Sequence, residues 1–161
     1  MTTVRQDDST LKRVTLPYIG RVLKDSGIEL KRDGKAYYAS LAQERDMIVG
    51  LQNSKLTVAV ALPVNEEEID NVRMLADLTM ASTMMTKVFL TSGDDGMNMW
   101  FAIDTFCKTR GQFEEIFGLT FKQLLQSVRK YISIRNEIEK EMQAEAMVSY
   151  LMERQPKGQP S

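Results

Sequence analysis

The chain contains no histidine. That removes the usual general base, the Ser–His and Cys–His nucleophile pairs, and the commonest zinc ligand. Only one cysteine is present, Cys107, so an intramolecular disulfide is impossible and a reducing compartment fits. Long hydrophobic runs are also missing. The longest mostly apolar stretch, Leu56 to Val64, is far too short to span a bilayer. The opening residues, MTTVRQDD, carry no apolar leader. Positive charge is not in excess, because the formal net charge is −1. Without bulk positive charge nothing pulls the chain onto a phosphate backbone. The expectation is a cytoplasmic protein without a cofactor, with neither nucleic acid nor membrane as its partner.

What is present is an ordinary globular balance of 43% apolar and 27% charged residues in 161. One domain of that size can bury a core without staples. The stretch from Lys87 to Phe106 organises it. Val88, Phe89 and Leu90 precede a turn-forming TSGDDG, and Met99, Phe101 and Ile103 then alternate with Trp100, Ala102 and Asp104. Two strand-like runs around a Gly/Asp loop read as a β-hairpin. Holding the only Trp and two of the six Phe, it is expected at the heart of the core. Lys55 to Leu62 alternates as clearly. Leu56, Val58, Val60 and Leu62 face one way, while Thr57, Ala59 and Ala61 face the other. The second face carries only small groups, which leaves room for close approach by another element.

Pro17 marks the start or kink of a first helix, with Tyr18, Ile19, Val22 and Leu23 on one side and Gly27 as its stop. Asp33-Gly34 and Asn53-Ser54 mark turns between strands. Asn65 and Glu68 have capping-box spacing and open a helix to about Thr83, with Ile69, Val72, Ala76 and Met80 as one stripe, widened by Leu75, Leu78 and Met85. A short helical turn is expected from Gln112 to Phe117, ended by Gly118. Thr120 and Gln123 then repeat the capping-box spacing, and nothing breaks a helix from Phe121 until Pro156. The fold class is α+β: an antiparallel sheet of about five strands packed by helices, in the order α-β-β-β-α-β-β-α, with a long C-terminal helix. Residues 1–15 read as a tail or short helix, 16–135 as the domain, 136–153 as a helical extension, and 154–161 as a disordered tail.

This order of landmarks resembles the YbjN-like family, whose fold is like that of type III secretion chaperones. The likeness runs over residues 16 to 135. It includes the helix ending in Gly27, the Asp33-Gly34 turn, the meander through Leu62, the hairpin with Trp100-Phe-Ala-Ile, and a closing helix. Its strongest part is LPVNEEEIDNVRMLADLTMASTMMTKVFL. The resemblance implies a bacterial protein whose sheet, packed by helices, dimerises and binds partner segments. It brings no catalytic residues, and the extension past residue 135 departs from its pattern.

Eleven methionines are many for this length. Met84, Met85, Met97 and Met99 are candidates for a partner-binding surface, because Met adapts to varied apolar partners; filling a core is the plainer reading. Trp100 and Asp104 join them, with Asp104 paired to a basic residue or placed at a dimer interface. Met147 and Leu151, near the end of the extension, are apolar enough to need a partner. A helix this long cannot bury its far half on so small a sheet. The leading expectation is a non-enzymatic module that binds a protein or peptide, acts as a homodimer, and has a chaperone-like or regulatory role. The alternative is a small-ligand sensor or carboxylate-based enzyme using Asp94, Asp95, Asp104 or Glu44. Cys107 reads as a quiet thiol.

Overall fold

The computed structural model describes residues 8–41, 45–65, 69–83, 86–94 and 96–154. A 3₁₀ turn, Asp8–Leu11, leads into α1, Leu16–Asp25. Four strands follow: β1 Lys31–Asp33, β2 Ala36–Leu41, β3 Arg45–Gln52 and β4 Lys55–Val64. Then come α2 Ile69–Ser82, β5 Lys87–Gly93, β6 Gly96–Phe106 and α3 Arg110–Glu153. The strands form one antiparallel sheet in the order β1-β2-β3-β4-β6-β5. The α+β architecture matches the sequence expectation, with six strands in place of about five. Lys31–Asp33 pairs back onto Ala36–Tyr38 across Gly34 and Lys35, at the turn expected at Asp33-Gly34.

Local chemistry sets the element ends. Thr15 caps α1 by accepting a hydrogen bond from the Tyr18 amide at 3.4 Å, and Pro17 lies in the first turn, where its missing donor costs nothing. Gly27 leaves the helix at φ +81°. The β3–β4 hairpin turns on Asn53 and Ser54, both left-handed at φ 51° and 63°. That is the two-residue turn whose twist matches the flanking strands. It fixes the register that places Val49 beside Val58 and Met47 beside Val60.

One face of the sheet carries the core. Met47, Val49, Val58, Val60, Phe101 and Ile103 meet Ile19 and Leu23 of α1, Leu75 of α2, and Leu124, Val128 and Tyr131 of α3. Phe101 and Tyr131 pack edge to face at 5.5 Å. Each such side chain contributes about 1.5–3 kcal/mol by leaving water. Between the elements, the buried hydroxyls of Thr86 and Ser127 satisfy each other at 2.8 Å.

Three sequence expectations are corrected. First, no break occurs at Gly118. α3 is a single helix of 44 residues, about 66 Å long, opened by a capping box between Thr109 and Gln112. A mid-helix glycine costs about 1 kcal/mol. Here Phe113, Phe117 and Phe121 stack across it, at 5.2 and 6.2 Å between ring centres. Thr120, the expected cap, is a buried interior residue. Second, Met80 faces outward on α2 with Met74 and Leu78; Leu75, Ala76 and Thr79 are the buried side. Third, Trp100 lies outside the core, because alternation from Met99 and Phe101 puts it on the opposite face. The predicted capping box at Asn65 extends to Glu68, outside the described residues, as does the predicted tail beyond Arg154.

Candidate protein-binding surfaces

The face opposite the helices belongs to none of the main core cluster. Cross-strand pairing builds it row by row. Tyr38, Ile48, Ala59, Ala102 and Lys87 align across five strands. The next row is Ser40, Asp46, Ala61, Trp100 and Phe89. Ala59, Ala61 and Ala102, the small residues that floor this face, are buried. Tyr38, Phe89 and Phe106 stand around that floor at 40%, 45% and 62% exposure. Trp100 is half-buried, and its indole Nε1 donates to Thr91 Oγ1 at 2.8 Å, which holds the ring in one orientation. Exposed aromatic side chains gathered on one sheet face mark an interaction surface better than scattered ones do.

Asp104 lies on the same face. It accepts hydrogen bonds from Lys87 Nζ at 2.7 Å and Thr57 Oγ1 at 2.6 Å. The Lys87 ammonium first, and the Thr57 hydroxyl second, hold its carboxyl below the ordinary range. A carboxylate held ionised and already doubly bonded is a poor general acid. Asp94 is exposed in the β5–β6 turn, and the strand between it and Asp104 spans roughly 26 Å. Asp95 and Glu44 lie outside the described residues. Among the described residues no group of three His, Cys, Asp or Glu is placed to hold a metal. Cys107 is fully buried, and burial pushes its thiol up, away from the reactive thiolate.

A second surface lies at the sheet edge. β1 covers only Ala36–Tyr38 of β2, and no described strand pairs with the outer edge of Ala39–Leu41. Beside this ledge is an open hollow of about 430 Å³ lined by Glu29, Leu30, Lys31, Tyr38, Ala39, Ser40 and Asp46.

The third surface is the far end of α3. Tyr131, Ile134 and Ile138 dock on the domain, and Arg135 is tied to Glu139 at 3.0 Å. From Glu139 to Arg154 every residue is exposed. Met142, Met147, Val148, Tyr150, Leu151 and Met152 are all more than half exposed there.

The predicted site residues therefore separate. Trp100 and Asp104 share the open face, and Met147 and Leu151 sit on the arm. Met99 is 0% exposed and belongs to the core, which corrects its assignment to a binding surface. Met97 is half-buried on the same side as Met99. Met84 and Met85 lie outside the described residues. Tyr38, Phe89 and Phe106 were not singled out from the sequence. Their signal was parity: each falls on the same side of its strand as Trp100 or its row partners.

A six-stranded antiparallel sheet with three helices packed on one face defines an α+β domain of a recognisable kind. No family model matches the sequence, and no curated protein matches it either. Among solved structures, YbjN from E. coli, described provisionally as a transcription regulator, superposes with a TM-score of 0.61 at 16% identity. The match covers 77% of this chain and 94% of that one. The fold is YbjN-like. No helix among the described residues is long and apolar enough to cross a membrane.

Proposed function

We propose that this chain is a non-enzymatic protein-binding module, a homodimer that holds an extended segment of a partner in a chaperone-like or regulatory role. The observation that carries the reading is the concentration of exposed apolar groups on the open sheet face and the α3 arm, outside the core cluster. Such surfaces find a partner or aggregate. The ledge at Ala39–Leu41 adds a place for an extended peptide. Backbone there that pairs with no described strand supplies the hydrogen bonds, and the hollow beside Leu30 and Tyr38 takes alternate side chains. The likeness to YbjN, described provisionally as a regulator, is compatible with this role. So is a carboxylate set whose described members do not converge. A cytoplasmic location belongs to the same proposal, and a single buried free thiol is compatible with it.

An array of host-proteome peptides of about 15 residues tests the reading. The native protein is expected to retain a subset rich in alternating apolar residues, and Leu30→Glu with Tyr38→Glu is expected to lose it. Retention of no peptide by a correctly folded protein, or equal retention by the variant, rejects the ledge as a peptide site. Light scattering during size exclusion tests the homodimer separately.

A further inference from the structure

We infer that the cleft at one end of the sheet, where the segment before α1, the β3–β4 turn and the β6–α3 link meet, binds a small oxyanion: a carboxylate or a phosphate group. The inference goes beyond the peptide-binding reading and does not rest on it.

The cleft has fixed walls. The Val14 amide donates to the Lys108 carbonyl at 2.9 Å, the Cys107 amide to the Ser54 carbonyl at 2.7 Å, and the Arg110 amide to the Lys12 carbonyl at 2.9 Å. Three segments far apart in sequence are tied together by their backbones. Val14 and Cys107 are buried, while Arg13, Thr15, Asn53 and Lys108 line the cleft from its exposed side. The space between them is about 250 Å³. Sites that enclose a drug-sized ligand run to roughly 300–1,000 Å³. This one has room for a single charged end group and its waters.

The lining carries charge of one sign. Arg13 and Lys108 contribute two cations, and no described carboxylate lines the cleft. The three segments, residues 12–15, 51–55 and 107–110, add Lys12, Lys55 and Arg110 and contain no acid. A chain of net charge −1 gathers five of its 21 cations there. Neighbouring like charges repel, and a bound anion relieves them. Neither Arg13 nor Lys108 forms an ion pair among the described residues. Lys108 Nζ lies 5.2 Å from the centre of the Phe106 ring, a contact that leaves N–H donors for another partner.

The neutral groups suit the same ligand. The side chains of Asn53 and Ser54 make no hydrogen bond among the described residues. Thr15 Oγ1 accepts from the Tyr18 amide, which leaves its own proton to donate. Guanidinium, ammonium, amide and hydroxyl donors around one small space form a set that an oxyanion can satisfy. A cation would meet two positive charges here, and an apolar group would strip water from both. Hydrogen bonds to ionised groups are about twice as strong as neutral ones, so Arg13 and Lys108 should dominate the affinity.

Titration of the intact chain with sodium phosphate and, separately, sodium acetate at constant ionic strength tests this, read by amide nitrogen–proton correlation NMR. Shifts at residues 13–15, 53–54 and 107–108 are expected to saturate with a Kd of about 1 mM or below for at least one of the two anions. Saturation by phosphate alone assigns a phosphate ligand, and by acetate alone a carboxylate. Arg13→Gln/Lys108→Gln is expected to weaken binding at least about tenfold. Asn53→Asp should do the same, because it places a negative charge in the lining at a φ of 51°, a backbone conformation that Asp tolerates. Arg129→Gln/Lys130→Gln removes the same charge from an exposed stretch of α3, about 30 Å from its start, and is expected to bind as the native chain does. Shifts that stay linear to tens of millimolar, or that saturate at other residues, overturn the site. So does undiminished binding by either cleft variant. An equal loss in the Arg129/Lys130 variant reduces the effect to overall charge and overturns it as well.

Discussion

The same substitution at two glycines of this fold should have opposite effects. Gly20 is buried in α1, and a Cβ added there would sit 2.5 Å from Cζ of Tyr37 and overlap its hydroxyl oxygen. Gly118 lies inside α3, and a Cβ added there meets nothing within 4 Å. Alanine gains about 1 kcal/mol over glycine in a helix interior. At Gly118 that gain stands alone, and Gly118→Ala should stabilise by about 0.5–1 kcal/mol. At Gly20 the gain opposes an overpacking cost of about 1–3 kcal/mol. The Tyr37 ring is 8% exposed, pinned on β2 beside Val49, so it has little room to swing away. The net for Gly20→Ala is a loss of about 1 kcal/mol, or roughly 2–4 °C in Tm for a chain of this size. Urea denaturation at one pH resolves a difference near 2 kcal/mol between the two variants. A double-mutant cycle with Tyr37→Leu should recover most of the Gly20→Ala loss, because the smaller side chain vacates the contested volume. If Gly20→Ala stabilises as much as Gly118→Ala does, the packing of α1 on Tyr37 is wrong and the argument fails.

Other outcomes follow from single residues. Ser54→Gly should stabilise by about 0.5–1 kcal/mol in thermal melts, because glycine adopts the left-handed φ of 63° without strain. Asp104 has a folded-state pKa below its unfolded value, so its contribution is present above about pH 4 and is lost as pH falls through the folded value. Lys87→Met should therefore cost about 0.2–1 kcal/mol near neutrality, since the pair is partly exposed. The difference from the native chain should shrink in urea melts below about pH 4. Cys107 should react slowly with a maleimide in the native state and fast in denaturant, as its burial requires.

Much of this fold was written in local pattern. Leu56-Val58-Val60 and Met99-Phe101-Ile103 could be read as core faces because alternation reports which residues travel together. The turn at Asn53-Ser54 and the stop at Gly27 follow from the φ values that those residues tolerate. The continuity of α3 was not legible at Gly118. A local rule weighs one glycine at about 1 kcal/mol, and only packing shows that three phenylalanines stack across it.

The open face was harder to read for a different reason. Alternation divides a strand into two sets without saying which set is covered. Met99 and Trp100 are neighbours with equal claims on a core or on a binding surface, and both were candidates for the surface although only one of them can share the face of Phe101. What decides the matter is where the helices dock, and that is settled by residues far away in sequence: Leu75, Leu124 and Val128 share one core cluster with Phe101 and Val60, a cluster to which Ala59 and Ala102 do not belong. The small residues Thr57, Ala59 and Ala61 already marked a face with room above it. Trp100 and Phe89 stand in the row beside Ala61, and because Ala61 is buried the aromatic side chains, not the alanines, form the exposed part of this face. The tryptophan sits on the side that the protein's own helices leave open, which is why the proposed binding surface draws on this sheet face and not on the core.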